Sequence, residues 1–207
     1  MSDVVRIDDH RARRGRPPAT TREEVARVAL QLFVERGFEE TTMEDIAAEL
    51  GLGRRTVFRY FPSKNDLVWG AFDAVLERLR HDLRAVDQRL PLMEVLRQAA
   101  VRSNTYPDEL LDELHRRVTL IQTVPALQAH SMLRYAEWRE VVAEYVAERL
   151  GLAPDDLLPV AAGHAALAAS SAAFARWVTH RDEDVLELLD QAYALLASGF
   201  DPETADK

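Results

Sequence analysis

Apolar side chains recur every three or four positions along most of the chain, which is the spacing of α-helices that bury one face. The first helix is predicted between the cap Thr21, with Glu24 three residues later as a capping box, and the stop Gly37. The next begins after Thr42, with Asp45 at the same offset. Glycines and prolines fall mostly at the breaks between periodic stretches, so the pattern predicts an all-α protein.

The pattern beyond residue 62 predicts a long helix and then a series of proline-punctuated ones. Ser63 caps the long helix with Asp66 three residues on, and its apolar face continues to Gln88, about 24 residues or roughly 36 Å. It is a candidate link between a small N-terminal unit and the larger remainder of the chain. The later helices are predicted over 91–105, 107–122, 125–150, 155–179 and 183–199.

Two of the short helices form a distinctive pair. A helix over 43–50, a turn at Gly51-Leu52-Gly53 and a helix over 54–61 have the order of a helix-turn-helix, which lays its second helix in the DNA major groove. Arg54 and Arg55 occupy the first turn of that second helix, where the helix dipole disfavours a cation by roughly 0.3–1 kcal/mol. Phosphates and base edges give a reason to keep arginines there.

The charge distribution is compatible with DNA binding although the formal net charge is −9. Residues 1–66 carry 12 basic and 12 acidic side chains, whereas residues 67–207 carry 14 and 23. Four cations cluster around the second helix of the pair: Arg54, Arg55, Arg59 and Lys64. Four more lie in the polar N-terminal stretch: Arg11, Arg13, Arg14 and Arg16. The basic footprint is local, as groove contact requires.

Other features limit the class of protein. The chain has no cysteine, which excludes disulfides and thiolate chemistry, and its six histidines lack metal-ligand spacing, so we expect neither metal nor cofactor. No hydrolase or phosphate-loop motif is present, and we do not expect an enzyme. The start does not resemble a signal peptide. The apolar stretch 157–178 is interrupted by polar residues, which favours a buried helix, no membrane and a cytoplasmic location.

The run from Phe38 to Leu67 resembles the DNA-binding domain of TetR-family transcriptional regulators. It contains Gly-Phe, Thr-Thr-Met-Glu-Asp-Ile-Ala, Gly-Leu-Gly and Phe-Arg-Tyr-Phe-Pro-Ser-Lys-Asn-Asp-Leu. The resemblance implies a nine-helix homodimer with a three-helix head over 20–66 and a ligand-binding and dimerisation domain over 67–200. The last two helices of each subunit would form a four-helix interface. We expect a disordered basic arm over 1–19 and a disordered tail over 201–207.

A narrower resemblance extends into the C-terminal domain. Residues 54–60, 63–66, 69–70, 72–73, 123–131 and 133–139 are similar to the regulators found with mycofactocin biosynthesis genes. This implies a link to redox-cofactor metabolism and fatty acyl-CoA thioesters as effectors. One departure is Phe58, which stands where the TetR family most often has a tyrosine. Phe58 lacks a hydroxyl that would reach a phosphate, so we assign it no such role.

The expected DNA contacts lie on and beside the second helix of the motif. Its exposed side should carry Arg54, Arg55, Thr56 and Arg59, while Val57 and Phe61 face inward. We expect Arg55 to make a bidentate contact to guanine and Thr56 to contact a thymine methyl or a phosphate. The alternative is a solvated arginine face.

The family pattern adds phosphate contacts by Tyr60 and Lys64. Thr42 is a helix cap in any case, and its position at a helix N-terminus also suits a phosphate. The arginines of the arm either enter the minor groove or only solubilise the chain; the sequence favours neither.

The helix from Pro125 carries an apolar stripe with two possible roles. It consists of Met132, Leu133, Tyr135, Trp138 and Val142. Such stripes are usually core; alternatively, part of this one lines an apolar ligand pocket. The residues expected to share that pocket are Phe72, Val118, Ile121, Arg139 and Phe174, with Trp69 and Trp177 as further candidates. An acyl-CoA needs cations for its phosphates, and the candidates are Arg116, Arg117, Arg134 and Arg139.

The sequence thus predicts a homodimeric, ligand-responsive repressor that binds a palindromic operator and is released by an acyl-CoA-type effector, with mycofactocin-related genes as its targets. One alternative is a TetR-type regulator of unrelated genes with another apolar effector. Another is a non-specific DNA-binding structural protein, which the negative charge of the body disfavours. An α-helical enzyme is a remote third, because no catalytic constellation is present.

Overall fold

The computed structural model describes residues 20–70 and 72–201, and within them it shows ten α-helices and no strand. This confirms the all-α prediction. The arm expected over 1–19 and all but the first residue of the tail expected over 201–207 lie outside the described residues. The helices are α1 Arg22–Arg36, α2 Met43–Glu49, α3 Arg54–Tyr60, α4 Lys64–Trp69, α5 Phe72–Ala85, α6 Leu92–Ser103, α7 Asp108–Thr123, α8 Pro125–Leu150, α9 Leu157–Thr179 and α10 Val185–Ala197.

The prediction of one continuous helix from Ser63 to Gln88 was wrong, because the chain breaks at Gly70. The backbone of Gly70 has φ 55° and ψ −120°, a conformation that residues with a Cβ avoid. A Cβ at this position would also lie 2.9 Å from Nη1 of Arg117. The break divides the expected helix into α4 and α5, and the described residues therefore hold one helix more than the nine that the family resemblance implies.

Helices α1, α2 and α3 form a small head around a tightly packed centre. Val57 and Phe61 of the α3 region are fully buried, as predicted, and the rings of Phe33 and Phe38 pack at a tilt with their centroids 4.9 Å apart. The expected capping box of Thr42 and Asp45 is present. Only one half of the predicted box at Thr21 is described, the bond from the Glu24 N–H to the Thr21 hydroxyl at 3.1 Å.

Helices α5 to α10 form the body, and α4 joins it to the head through a continuous buried core. Leu67 and Val68 of α4 are fully buried between the two parts. The domain boundary expected at residue 66 falls inside α4 and stays a prediction. In the body, α8 and α9 approach closely at Gly163, where a Cβ would lie 2.7 Å from the carbonyl oxygen of Arg139.

Among the described helices, α9 is the one long and apolar enough to cross a membrane by length and composition. This is weak evidence, since core helices of globular proteins pass the same test. Ala166, Ala169 and Ala173 of this helix are buried within the body. Its other face is exposed, with Leu157 84% and Leu158 50% accessible.

Candidate DNA-binding surface and ligand cavity

Helix α3 presents three arginines on the side opposite its buried face. Arg54, Arg55 and Arg59 are exposed, and Thr56 between them is half-buried. Because Val57 anchors the helix from below, these side chains are held on a rigid element rather than on a loop. The structure therefore brings together the four residues expected on the exposed side of the motif.

The three arginines differ in how they are held. Nη1 of Arg54 lies 2.7 Å from Oε1 of Glu44, and its guanidinium lies 5.2 Å from the Phe58 ring centroid. Arg55 has no hydrogen bond or ion pair within the described part of the chain. Since its donors are unsatisfied and its side chain is exposed, Arg55 is the arginine best placed for a bidentate contact. Phe58, which lacks the family's usual hydroxyl, packs against the head core.

Thr42 functions as a helix cap. Its hydroxyl accepts the N–H of Asp45 at 3.1 Å and lies 2.6 Å from the Asp45 carboxylate, which also accepts the Thr42 N–H at 2.8 Å. These bonds hold the pKa of Asp45 below its ordinary value. The cap is confirmed, and a phosphate contact by Thr42 stays a prediction.

Tyr60 and Lys64 have partners inside the head. The Tyr60 hydroxyl donates to the carbonyl of Thr20 at 2.7 Å. The Lys64 ammonium donates to the carbonyls of Phe38 at 2.7 Å and Thr41 at 3.2 Å, so it ties α4 to the loop before α2. Their expected phosphate contacts stay predictions, and Lys64 has a structural task that the sequence did not indicate.

A buried polar cluster joins the head to the body, and sequence reasoning missed it. Oδ1 of Asp66 in α4 lies 2.9 Å from Nη2 of Arg134 and 3.2 Å from Nε2 of His130, both in α8. Its other oxygen accepts from the Ser63 hydroxyl at 2.7 Å. Burial alone would raise the pKa of Asp66, but the bonds from Ser63 and Arg134 and the nearby positive charges outweigh it and lower the pKa.

We expect Asp66→Asn to destabilise the fold at neutral pH by about 1–3 kcal/mol, the cost of losing charge-assisted hydrogen bonds at a buried site. Because the folded pKa of Asp66 is lowered, its contribution is complete above the ordinary carboxyl pKa of about 3.9. The contribution disappears as the pH falls through the lower folded pKa. Urea unfolding at pH 7 and in acid measures this difference. The exposed Asp73→Asn is the control, and an equal difference between Asp66→Asn and wild type at both pH values would contradict the assignment.

A cavity of about 520 Å³ lies in the body next to α4. Six of the seven residues expected to bind ligand line it: Phe72, Val118, Ile121, Tyr135, Trp138 and Phe174. Trp69 of α4 lines it as well. Polar side chains are also present: Ser103, Asn104, Gln122, Gln128, Ser131 and Ser171. A largely apolar wall with a few polar groups is typical of a small-molecule site.

The placement of Arg139 in this cavity was wrong. Arg139 lines a separate cleft beside Val160 and His164, because one residue further along α8 turns a side chain about 100° from Trp138. Met132 and Leu133 were also wrongly grouped with the stripe, since they are 61% and 64% exposed.

Most of the arginines expected to bind the phosphates of an acyl-CoA also lie outside the cavity. Arg134 is committed to Asp66, and Arg116 lines a cleft beside α1. Trp177 lines another cleft. Of the four candidate arginines, Arg117 is the one that lines the cavity.

The electrostatics of the cavity favour a neutral or singly anionic ligand. Arg117 is the one charged residue among the described lining residues, and no carboxylate lines the wall. Burial raises the pKa of Tyr135, which therefore stays a neutral phenol at physiological pH. Trp69 packs edge-on against Phe72 and Tyr135, with ring centroids 5.1 and 5.7 Å away. The described residues contain no group of acidic and histidine side chains placed to hold a metal ion.

Two family models match this chain and together cover most of the described residues. Residues 25–69 match the model described as bacterial regulatory proteins, tetR family. Residues 90–201 match the model of the MftR C-terminal domain. The first match contains α2, α3 and α4, and the second contains the whole of α6 to α10.

A protein of Mycobacterium tuberculosis, named as the mycofactocin biosynthesis transcriptional regulator MftR, is 35% identical over 192 residues, 93% of this chain and 97% of that one. Two solved structures share the fold. FadR of Thermus thermophilus, in complex with lauroyl-CoA, has a TM-score of 0.53 at 23% identity over 86% of this chain and 94% of that one. FadR of Bacillus subtilis, in complex with stearoyl-CoA, has a TM-score of 0.60 at 18% identity over 84% and 97%.

Proposed function

This chain belongs to the TetR family of bacterial transcriptional regulators and is a homologue of MftR, and from this premise we propose that it is a homodimeric repressor released from a palindromic operator by a small-molecule effector. Two copies of α3 would enter successive major grooves about 34–36 Å apart. The observation that carries the proposal is the presence of an arginine-bearing helix α3 and of a largely apolar cavity whose wall includes Trp69 of α4, the next helix along the chain.

The exposed face of α9 supports the homodimer. It carries Leu157 and Leu158 and continues as a line of small apolar side chains: Ala161, Ala168, Ala172 and Ala175. Small side chains permit close approach of two helices, and burial of this face against a second copy removes apolar surface from water. Together with α10, this face would supply the four-helix interface that the family resemblance implies.

We propose a fatty acyl-CoA thioester as the effector class. The acyl chain would occupy the apolar cavity, while the nucleotide part stays outside, since Arg117 is the one cation on the described wall. The homology to MftR makes mycofactocin-related genes the proposed targets. A TetR-type regulator of unrelated genes with another apolar effector is the alternative.

The effector would act through differential affinity. It would bind more tightly to a state in which the two heads are wrongly spaced for successive grooves, and this difference would release the DNA. Helix α4 is the natural lever, because it packs against α1 in the head and against α7 and α8 in the body.

Fluorescence anisotropy tests the proposal on a labelled duplex from the DNA upstream of the gene of this protein. A scrambled duplex is the control, and palmitoyl-CoA is then added at saturation. Preferential binding that is lost on adding the thioester supports the whole mechanism. Preferential binding that persists in the presence of the thioester would contradict the acyl-CoA proposal. Equal binding to both duplexes would show that this segment holds no specific operator and would favour the non-specific DNA-binding alternative.

Trp138→Ala should weaken binding of palmitoyl-CoA by roughly 10-fold or more, because burial of an aromatic side chain against a ligand contributes about 1.5–3 kcal/mol. Operator affinity should stay within about threefold of wild type, since Trp138 lies in the body rather than in the head. Calorimetry, whose signal does not depend on tryptophan fluorescence, measures the affinity for palmitoyl-CoA. Leu133→Ala, an exposed position on the same helix, is the control, and a Trp138→Ala variant that simply unfolds would indicate a core role instead.

A further inference from the structure

Arg117 lines the cavity and also bonds to the end of α4. Its side chain is 20% exposed and lines the cavity. Nη1 donates to the carbonyl oxygen of Val68 at 2.5 Å, and Nη2 lies 2.6 Å from Oε1 of Glu113 in the same helix. Val68 is the next-to-last residue of α4, so a group facing the ligand space is bonded directly to the backbone of the head-to-body connection.

The bond to Val68 supplies a hydrogen-bond donor to a carbonyl at the end of α4, where the helix breaks at Gly70. The last four carbonyls of a helix lack partners within it, and α4 ends one residue after Val68. The Arg117 guanidinium supplies the missing donor. Gly70 leaves the room for it, since a Cβ there would lie 2.9 Å from Nη1 of Arg117 and 3.5 Å from the Ala26 side chain of α1. The guanidinium thus lies at the end of α4, beside Gly70.

A guanidinium has five N–H donors, of which Val68 and Glu113 take two in this structure. The remaining donors suit an oxygen acceptor of a ligand. Because Glu113 already neutralises Arg117, the pair favours a carbonyl or single carboxylate oxygen over a polyphosphate. An oxygen that takes the Nη1 N–H now bound to Val68, rather than a free one, leaves the Val68 carbonyl unpaired and removes the support at the end of α4.

We infer that Arg117 binds the carbonyl or carboxylate oxygen of the effector and that this contact, by displacing the Val68 carbonyl, loosens α4 and transmits occupancy of the cavity to the DNA-binding head. The inference rests on the proposed function to the extent that the cavity is the effector site. It assigns to one side chain both the recognition of the polar group and the coupling between the two sites.

The test uses full-length Arg117→Met, which keeps the length and apolar stem, and Arg117→Lys, which keeps the charge but cannot hold two partners in a fork. Arg116→Met, the neighbouring arginine directed to another cleft, is the matched control. Palmitoyl-CoA and palmitate are the two probes. Calorimetry gives probe affinity, and anisotropy gives operator affinity with and without saturating probe.

In wild type and Arg116→Met we expect the probe to weaken operator binding by roughly 5–150-fold. In Arg117→Met we expect about 10-fold weaker probe binding and a coupling ratio near one. Arg117→Lys should retain more of the probe affinity than of the coupling, a split that a merely structural role does not produce. If only palmitate releases the protein from its operator, the group bound by Arg117 is a carboxylate. If only palmitoyl-CoA does so, the group is a thioester carbonyl, and either result supports the inference.

Wild-type coupling in Arg117→Met would overturn the inference. If wild type binds neither probe, the proposed effector class fails, and the role of Arg117 is then decided by operator affinity without ligand. Loss of the Val68 bond should weaken that affinity several-fold in Arg117→Met relative to Arg116→Met, and equal affinities would overturn the inference. If Arg117→Met does not fold, Arg117→Lys decides by the same comparison.

Discussion

Arg55→Ala should weaken binding to the proposed operator by roughly 30-fold or more while leaving the proposed dimer intact. One bidentate arginine contact to guanine discriminates by about 1–3 kcal/mol, and a homodimer loses two of them. The structure makes Arg55 the strongest candidate, because it is exposed and unpaired within the described part of the chain, whereas Arg54 is bound to Glu44. Anisotropy with operator and scrambled duplexes measures the loss, and sedimentation checks the dimer.

The specificity of the result matters as much as its size. Removal of a base contact lowers the preference for operator over scrambled DNA, whereas removal of a phosphate contact weakens both equally. Arg27→Ala, an exposed arginine on α1, is the control and should bind as wild type does. An Arg55→Ala protein that binds its operator as tightly as the parent would show that Arg55 does not contact the operator bases.

Gly163→Ala should destabilise the protein by about 1–3 kcal/mol, the typical cost of inserting a methyl group into a closely packed site. The added Cβ would lie 2.7 Å from the carbonyl oxygen of Arg139, which is backbone and cannot rotate away. Helices α8 and α9 must therefore separate. The sign of the effect is diagnostic, because alanine in an unobstructed helix interior is about 1 kcal/mol more favourable than glycine.

Thermal and urea unfolding at fixed protein concentration measure the change, and the concentration is held fixed because a dimer gains stability by mass action. Ala129→Gly, an exposed position on α8, calibrates the helix propensity in this protein. A more stable Gly163→Ala protein would mean that α8 and α9 do not approach each other at this point.

The head was predictable because its determinants are local. Thr42 and Ser63 cap helices through bonds to Asp45 and Asp66, three positions further on, and Val57 and Phe61 follow directly from helical periodicity. Such spacings are visible in one sequence. Part of the cavity wall was predictable for a related reason, since an aromatic stripe at helical spacing faces either a core or a ligand, and six of the seven expected residues do line the cavity.

The features that were missed depend on distant parts of the chain. The break at Gly70 lies beside Arg117 of another helix, and a glycine within an apolar periodic run gives no signal of that neighbour. The partners of Asp66 lie 64 and 68 residues away. The error at Arg139 is different, because helical spacing alone turns this residue about 100° from Trp138.

The division at Gly70 also sets how the connection between head and body can come apart. Helix α4 has only 6 residues, too few to persist on its own, so it exists because Leu67, Val68 and Trp69 are packed on both sides. Helix α5, with 14 residues, does not depend on it for its own hydrogen bonds. A local unfolding of α4 would expose Leu67, Val68 and Trp69, and so would also open the core that α4 shares with the body. The free energy of that opening limits how readily the head changes its position relative to the body.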